Sequence, residues 1–542
     1  MNKKITLLIL FSVLFSVWFN SRTRAQCTGC TEILGEHTKS VIADSSTIVV
    51  PDNYSTIQEA IDKASKGDTI FVRAGTYPEH VVVDKSLSLS GENKHDTTID
   101  GGGNGIVIRL TASNITFSGF TIQNGELGIL FWYSSHNIFA GNTISSNSYG
   151  IYLQYSYYNI LSGNAAINNS RNGIYMEGST YNALTGNTIS SGNDYGIYLY
   201  HSDNNVLSGN AFSGNDDGIR FRDSDNNVLS GNTFADNDYG IYLYHSDNNV
   251  LSGNTFADNR HGILLYCSGN TTLLHNNFVD NFEPSRSIDS VNSWDDGTEG
   301  NYWSDYGDTD ANSDGIGDLP YLIDENNQDG HPLMAMFLQF NVSIENQCYV
   351  IDVVSNSTIS NLKCHSDLDN RNNLLRFRVE GAGFCRISVP NALIVPPLSV
   401  RVDGNPPLYF KEVWANGTRT WLYFTFDYPE HEVTITHVIH HEQLLWSQWA
   451  ILGLTILIAI QLLISIRYYR LFKKQKKVIE AYERELGIFP VSHEERARMH
   501  FVKDVISREE KIEKFKKKYG ITVQPARTLE DLMEKLGIQK ES

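Results

Sequence analysis

The stretch 240–259, GIYLYHSDNNVLSGNTFADN, decides the fold, because close variants of it recur from Gly128 to Asn281. Its leading glycine returns as Gly128, Gly150, Gly173, Gly196, Gly218, Gly240 and Gly262, a step of 22 or 23 residues. A Gly-Asn pair keeps the same beat at Asn142, Asn164, Asn187, Asn210, Asn232 and Asn254. A fixed period in this range marks a solenoid, in which each unit buries against its neighbours what it cannot bury alone. The unit is too short for two helices and is rich in Asn, Ser, Gly, Asp and Tyr, all poor helix formers. Short alternating runs such as Ile241–Tyr244 read as strands. The expectation is mainly β: three short strands per coil, joined at Asn/Gly/Asp corners and stacked in parallel about 4.8 Å apart. A period of 22 to 23 suits a right-handed, three-faced parallel β-helix, and the hexapeptide units of a left-handed one do not appear.

Laying the units on one another gives columns. Ile129, Ile151, Ile174, Ile197, Ile219, Ile241 and Ile263 form one, and Phe139, Leu161, Leu184, Leu207, Leu229, Leu251 and Leu273 a second. Phe212, Phe234, Phe256 and Phe278 form a third in the later coils. These are expected to fill the bore. Asn137, Asn159, Asn182, Asn205, Asn227 and Asn249 form a polar column at a bend, where Asn tolerates left-handed backbone and stacked amides bond along the ladder. Ser134 to Ser268 make another. Ahead of the repeats, Thr56–Ser65 reads as a short amphipathic helix that covers the open first coil.

The segments "STIQEAI…GDTIFVRAGTY", the "NN.LSGNTF..N..GI.L" repeats, and "GNYWSDYGDTDANSDGIGDLPY" with "DGHPL" together resemble the NosD-type β-helix proteins of the pectin-lyase-like superfamily. The resemblance covers roughly Val49 to Met334. It implies the fold, and it leaves function open among lyases, epimerases, hydrolases, copper-enzyme accessory proteins and surface proteins. Copper as a cofactor is implied by this resemblance alone: the chain has only six Met, and no Met- or His-rich cluster lies in the solenoid.

At 542 residues the chain exceeds one ordinary domain. Residues 1–25 read as a signal peptide: Lys3 and Lys4, an apolar run from Ile5 to Phe19, and small Thr23 and Ala25 at the cleavage site. Residues 26–47 are a linker carrying Cys27 and Cys30. The β-helix is assigned to 48–300 and its acidic end segment to 301–334. Residues 335–441, with runs such as CYVIDVVS and TWLYFTFDY between Pro, Gly and Asn turns, read as a β-sandwich stalk. Residues 445–466 are apolar enough to span a bilayer, with Trp446 and Trp449 on one flank and Tyr468 and Tyr469 on the other. The basic segment RYYRLFKKQKK follows, so the positive-inside rule puts 467–542, a helical tail available to a cytoplasmic partner, inside, and the β-helix outside.

Charge follows the same division. From Arg467 onward there are 19 basic and 13 acidic residues, a balance of +6, which leaves −25 on the remainder of a chain whose total is −19. So acidic an exterior argues against nucleic acid and suits divalent cations or sugars. All six cysteines lie in the outer part, where disulfides are permitted and their connectivity is not readable. Acceptor sequons stand at Asn53, Asn114, Asn168, Asn270, Asn341, Asn356 and Asn416.

Two segments could carry chemistry. Asp308, Asp310, Asn312, Asp314 and Asp318 alternate with other residues around Gly315, the pattern of a loop that wraps Ca²⁺. Tyr321 stands where an EF-hand needs a bidentate Glu, so the loop is closer to the shortened calcium loops of extracellular modules, or is an acidic turn without an ion. The other segment is an outward patch of Tyr198, Tyr200, His201, Arg220, Arg222, Asp223, Tyr242, Tyr244 and His245. His201, Asp223 and His245 fall on consecutive coils, a pattern for a transition metal or acid/base chemistry, while the aromatics, Arg and Asp suit a sugar chain. Duplication of a repeat also copies its surface residues. No complete catalytic constellation is found. The leading expectation is a membrane-anchored surface protein that binds carbohydrate or another envelope ligand without turnover. The alternatives are an anchored polysaccharide lyase, epimerase or hydrolase, and an accessory protein for an exported copper enzyme.

Overall fold

The computed structural model describes residues 47–367, 372–427, 429–438 and 441–486. The expected signal peptide, the Cys27/Cys30 pair and the tail beyond Leu486 lie outside the described residues. From Thr47 to Trp303 the chain is a right-handed parallel β-solenoid of three sheets. Sheet 1 stacks eleven strands from Thr47–Val50 to Thr272–Leu274. Sheet 2 stacks ten, from Val81–Val83 to Glu283–Ile288, and sheet 3 eleven, from Gly75–Tyr77 to Tyr302–Trp303. One coil therefore reads Tyr239–Tyr244 in sheet 2, Val250–Ser252 in sheet 1, then Thr255–Ala257 in sheet 3.

Register makes the columns real. Ile197 pairs with Ile219 and Ile219 with Ile241; Leu207 pairs with Leu229, and Phe212 with Phe234. All are essentially inaccessible to solvent. The Phe stack keeps ring centroids 4.8–4.9 Å apart and continues through Trp303 to Tyr321. Each repeat glycine enters the sheet 2 strand where the next coil comes too close for a side chain: a Cβ on Gly218 would stand 2.5 Å from the Gly240 carbonyl oxygen.

Polar ladders hold the corners. Asn210 donates through both its backbone N–H and its Nδ2 to Asn232 Oδ1, each at 2.9 Å, and through Nδ2 to the Leu184 carbonyl at 2.9 Å. The Asn137 column is built alike as far as Asn205, whose Nδ2 turns to the Ser179 and Ser202 carbonyls while its backbone N–H keeps the bond to Asn227. A third column, Asn147 to Asn281, is one that the repeat alignment does not single out. Serines form a further ladder, Ser202 N–H donating to Ser224 Oγ at 3.0 Å. The left-handed residue of the first corner is not the column Asn, as expected, but the residue before it: His136, Tyr158, Tyr181, Asn204, Asn226 and Asn248, with φ near +60°. The buried Asn is thereby freed to face the ladder.

Both ends are closed. Helix α1, Ile57–Lys63, is N-capped by Thr56, whose Oγ1 accepts from Glu59 N. Glu79 accepts from the Ile57 and Gln58 N–H groups, and Lys85 Nζ donates to three carbonyls at its C-terminus. At the other end two ladders run into the 324–331 segment. Asn327 Oδ1 accepts from Asn292 N, and the fully buried Asp329 accepts from Asn301 N (2.7 Å) and Trp303 Nε1 (2.9 Å). The DGHPL motif thus supplies the rung that a further coil would have given.

A five-stranded and a four-stranded antiparallel sheet follow, packed around Ile351, Ile387, Leu375, Phe377, Phe424 and Ile435. Three of their strands, Phe337–Ile344, Thr358–Asp367 and Tyr409–Ala415, are absent from the sequence reading, and all three are sheet edges. This sandwich is clamped to the solenoid's end. Asn277 and Phe337 exchange two hydrogen bonds, Phe337 stacks on His275 at 4.2 Å, and the largely buried Arg386 pairs with Glu299. Cys267, Cys364 and Cys385 are free thiols. Helix α2, His441–Leu486, runs on past the expected boundary at Ile466, and its segment Leu454–Lys477 is long and apolar enough to cross a membrane.

Candidate functional site

Alternation along the sheet 2 strands decides what faces out. In Tyr239–Tyr244 the pattern Tyr-Gly-Ile-Tyr-Leu-Tyr buries Gly240, Ile241 and Leu243 and leaves the three tyrosines half-buried on the surface. Register carries this through the coils. One outward row is Tyr149, Asn172, Tyr195, Asp217, Tyr239 and His261. A second is Tyr152, Tyr175, Tyr198, Arg220 and Tyr242, and a third is Gln154, Glu177, Tyr200, Arg222, Tyr244 and Tyr266. The structure therefore brings Tyr198, Tyr200, Arg220, Arg222, Tyr242 and Tyr244 onto one face. It also adds Tyr152, Tyr175 and Asp217, which the same column arithmetic would have found had it been extended to every outward position.

The rings do not lie flat on the surface. Tyr152 and Tyr175 stack at 4.7 Å, and Tyr175 and Tyr198 at 5.3 Å, with small interplanar angles. Their faces are used on each other, so the rows present ring edges and hydroxyls at the coil spacing. Arg220 interrupts the second row, 4.5 Å from the Tyr242 centroid and 5.3 Å from Tyr195. Arg222 interrupts the third, 5.5 Å from Tyr200 and 6.0 Å from Tyr244. Asp217, 4% exposed, bonds Arg220 Nη1 at 3.1 Å; burial pushes its carboxyl up to about 6 in spite of that cation. Burial also raises the Tyr198 hydroxyl, which Arg222 partly offsets by hydrogen bonding, and raises Tyr175. Glu177 bonds Tyr152 and Gln154. The result is a grid of phenols interrupted by two guanidiniums.

His201, Asp223 and His245 do sit at equivalent corners of consecutive coils, each with left-handed φ of 49–50°. Their side chains do not converge. His201 packs on Tyr200 (4.1 Å), His245 on Tyr244 (4.3 Å), and Asp223 turns to Arg222 (3.6 Å).

The acidic loop bonds to itself. Asp310 accepts from the Asp314 and Gly315 N–H groups, Asp318 from Ala311 N and Thr309 Oγ1, Asp308 from Thr309 N, and Asp314 from Ile316 N. Its Asn312 and Asp314 carbonyls accept from Lys411 and Arg386 of the sandwich. Among the described residues no three His, Cys, Asp or Glu side chains are gathered to hold a metal ion.

Residues 61–227 match the family model of the periplasmic copper-binding protein (NosD), and residues 173–299 match that of the right handed beta helix region. No curated protein matches the chain. Among solved structures, the chain is similar to the Dettilon tailspike protein, at 14% identity over 72% of this chain and 93% of that one, TM-score 0.40. It is similar to an alginate lyase from Paenibacillus sp., at 14% identity over 47% and 97%, TM-score 0.35. A third likeness is to the A-module of a mannuronan C-5 epimerase from Azotobacter vinelandii, at 16% identity over 45% and 88%, TM-score 0.34. Copper would need imidazole or sulfur donors held together. His201 and His245 pack instead on Tyr200 and Tyr244, and among the described residues no such group of donors is gathered, so copper stands here on the family name alone.

Proposed function

We propose that this chain is an envelope-exposed protein that binds a polysaccharide along the outward face of sheet 2 without cleaving it. The observation that carries this reading is the grid of Tyr hydroxyls and Arg N–H groups repeated at the coil spacing from Tyr149 to Tyr266. A polymer with its own repeat of hydroxyls can run along such a rod and bond at successive rungs, each contact modest and the sum substantial. Because the ring faces are mutually stacked, recognition is by hydrogen bonds at ring edges more than by sugar–ring stacking, which differs from the expectation drawn from composition. The sandwich acts as a rigid stalk, α2 as the membrane crossing, and the basic segment after Ile466 as its cytoplasmic side. The acidic loop is a structural joint against the sandwich, and Ca²⁺ there would take over carboxylate oxygens now bonded to backbone N–H groups.

The test is a binding screen of the full-length protein in detergent against oligosaccharides of graded length. Affinity should rise with length up to several coils and fall about tenfold in Tyr198→Ser/Tyr242→Ser, which leaves the core intact. Length-independent binding, or an unaffected double variant, overturns the reading.

A further inference from the structure

Two stretches of the solenoid, 193–210 and 237–254, are identical over all eighteen residues, NDYGIYLYHSDNNVLSGN. The coil between them, 215–232, reads NDDGIRFRDSDNNVLSGN and differs at five positions. One is inward and stays apolar, Phe221 for Leu. The other four, Asp217, Arg220, Arg222 and Asp223, are all ionisable, and all lie on the sheet 2 face or at the corner beside it. Duplication explains the matching flanks. It does not explain a middle rung whose core is kept while every outward position is charged.

The geometry of that rung is built. Arg220 and Arg222 are two residues apart on one strand, so they point the same way with Cα atoms roughly 6.8 Å apart. Each guanidinium is held between aromatic rings of the coils before and after it. Such ring contacts on both sides suit a guanidinium better than an ammonium. Asp217 supports Arg220 from a position with 6% side-chain exposure, while the two arginine side chains remain 30% and 53% exposed. Asp217 takes one donor of Arg220, while Tyr198 and the Asp223 carboxylate, 3.6 Å away, engage Arg222, so N–H donors remain on each guanidinium. Cations already ordered lose little entropy on binding.

We propose that the coil Asp217–Asp223 is the rung at which the solenoid reads charge: Arg220 and Arg222 together grip an anionic substituent, carboxylate or sulfate, on the bound polysaccharide. This rests on the glycan-binding reading above and names its ligand class as an acidic glycan. The overall acidity of the chain opposes such a ligand at long range, and salt screens that opposition within about 10 Å. The rung selects by short-range, directional hydrogen bonds.

The full-length protein is titrated with matched neutral, uronic acid-bearing and sulfated oligosaccharides, and with inorganic sulfate alone. The expected result is binding of the acidic oligosaccharides about ten- to hundredfold tighter than the neutral ones, with the preference abolished in Arg222→Gln and not restored in Arg222→Lys. Arg222 is exposed enough for its loss to spare the fold, whereas Arg220→Gln strands the buried Asp217, so the double change Arg220→Gln/Asp217→Asn is the second variant. Equal affinity for neutral and acidic oligosaccharides, or an acidic preference that survives both variants, overturns the inference and leaves the glycan reading standing. Binding of sulfate alone as tightly as of the sulfated oligosaccharide overturns it too, because the polymer then contributes nothing. Failure of every oligosaccharide to bind overturns both.

Discussion

Asn232 illustrates how single side chains set the stability of this rod. Its Oδ1 satisfies two donors of Asn210, and its Nδ2 bonds the Leu207 carbonyl at 2.9 Å. Asn232→Ala strands these groups in the interior, at roughly 1–3 kcal/mol for each orphan. A loss of about 3–5 kcal/mol is expected in denaturant unfolding. Asp217 carries a pH signature. Its carboxyl holds a proton up to about 6 in the fold and to about 4 when unfolded, so the folded state binds more protons between those values. Stability from this group is therefore full below pH 4 and lost as pH rises through 6, by roughly 3 kcal/mol. Asp329, also pushed up to about 6 by burial, adds the same trend. Thermal unfolding from pH 4 to pH 7 should show a falling transition temperature, with the fall about halved in Asp217→Asn. An unchanged fall removes Asp217 from the explanation. At this scale the sequence was informative where a residue type recurs at one register position, as with the Asn and Ser ladders. It shows Asp217 as an acidic residue but not its burial, which depends on the register that sets it between Tyr195 and Tyr239 of the neighbouring coils.

At the scale of elements, the tightest constraint is the entry of each sheet 2 strand. Gly218→Ala would place a methyl 2.5 Å from the Gly240 carbonyl oxygen and 2.8 Å from Phe234. Backbone cannot yield there without parting two coils, so a loss of about 1–3 kcal/mol or more is expected, together with amide exchange quickened in the two flanking coils only. Exchange quickened throughout the solenoid would contradict that nearest-neighbour picture. Strands were legible where one side is buried, since period-2 alternation records the burial: Ile, Leu and Phe columns came out in the correct register. The sandwich strands missed by the sequence, Phe337–Ile344, Thr358–Asp367 and Tyr409–Ala415, are edges, whose mixed exposure blurs that alternation. The first corner was misplaced by one residue because left-handed backbone there falls on Tyr, His and Asn alike, so residue type gives no guide.

For the whole molecule, the joint between solenoid and sandwich decides whether they move as one. Glu299 is largely buried; although burial acts to raise it, the hydrogen bond from His275 and the charge of Arg386 bring its carboxyl down to about 2. Arg386→Ala removes the guanidinium and leaves the buried carboxylate to His275 alone, a loss expected at about 3 kcal/mol. Calorimetry of the variant should split a single transition into two, one for each part; a single transition, merely shifted, would mean the apolar contacts of Ile316, Leu333 and Phe337 suffice. Sheet 2 of the solenoid presents a face rich in phenols with two guanidiniums, and the central claim is that this face holds a polysaccharide and leaves it whole. The most direct measurement is to saturate the full-length protein with a defined acidic oligosaccharide, recover the ligand after prolonged incubation, and compare its length and sugar configuration with the input by mass spectrometry and NMR. Saturable binding with the oligosaccharide returned unchanged is the expected result. Shortened, unsaturated or epimerised products above those of a heat-denatured control would contradict it.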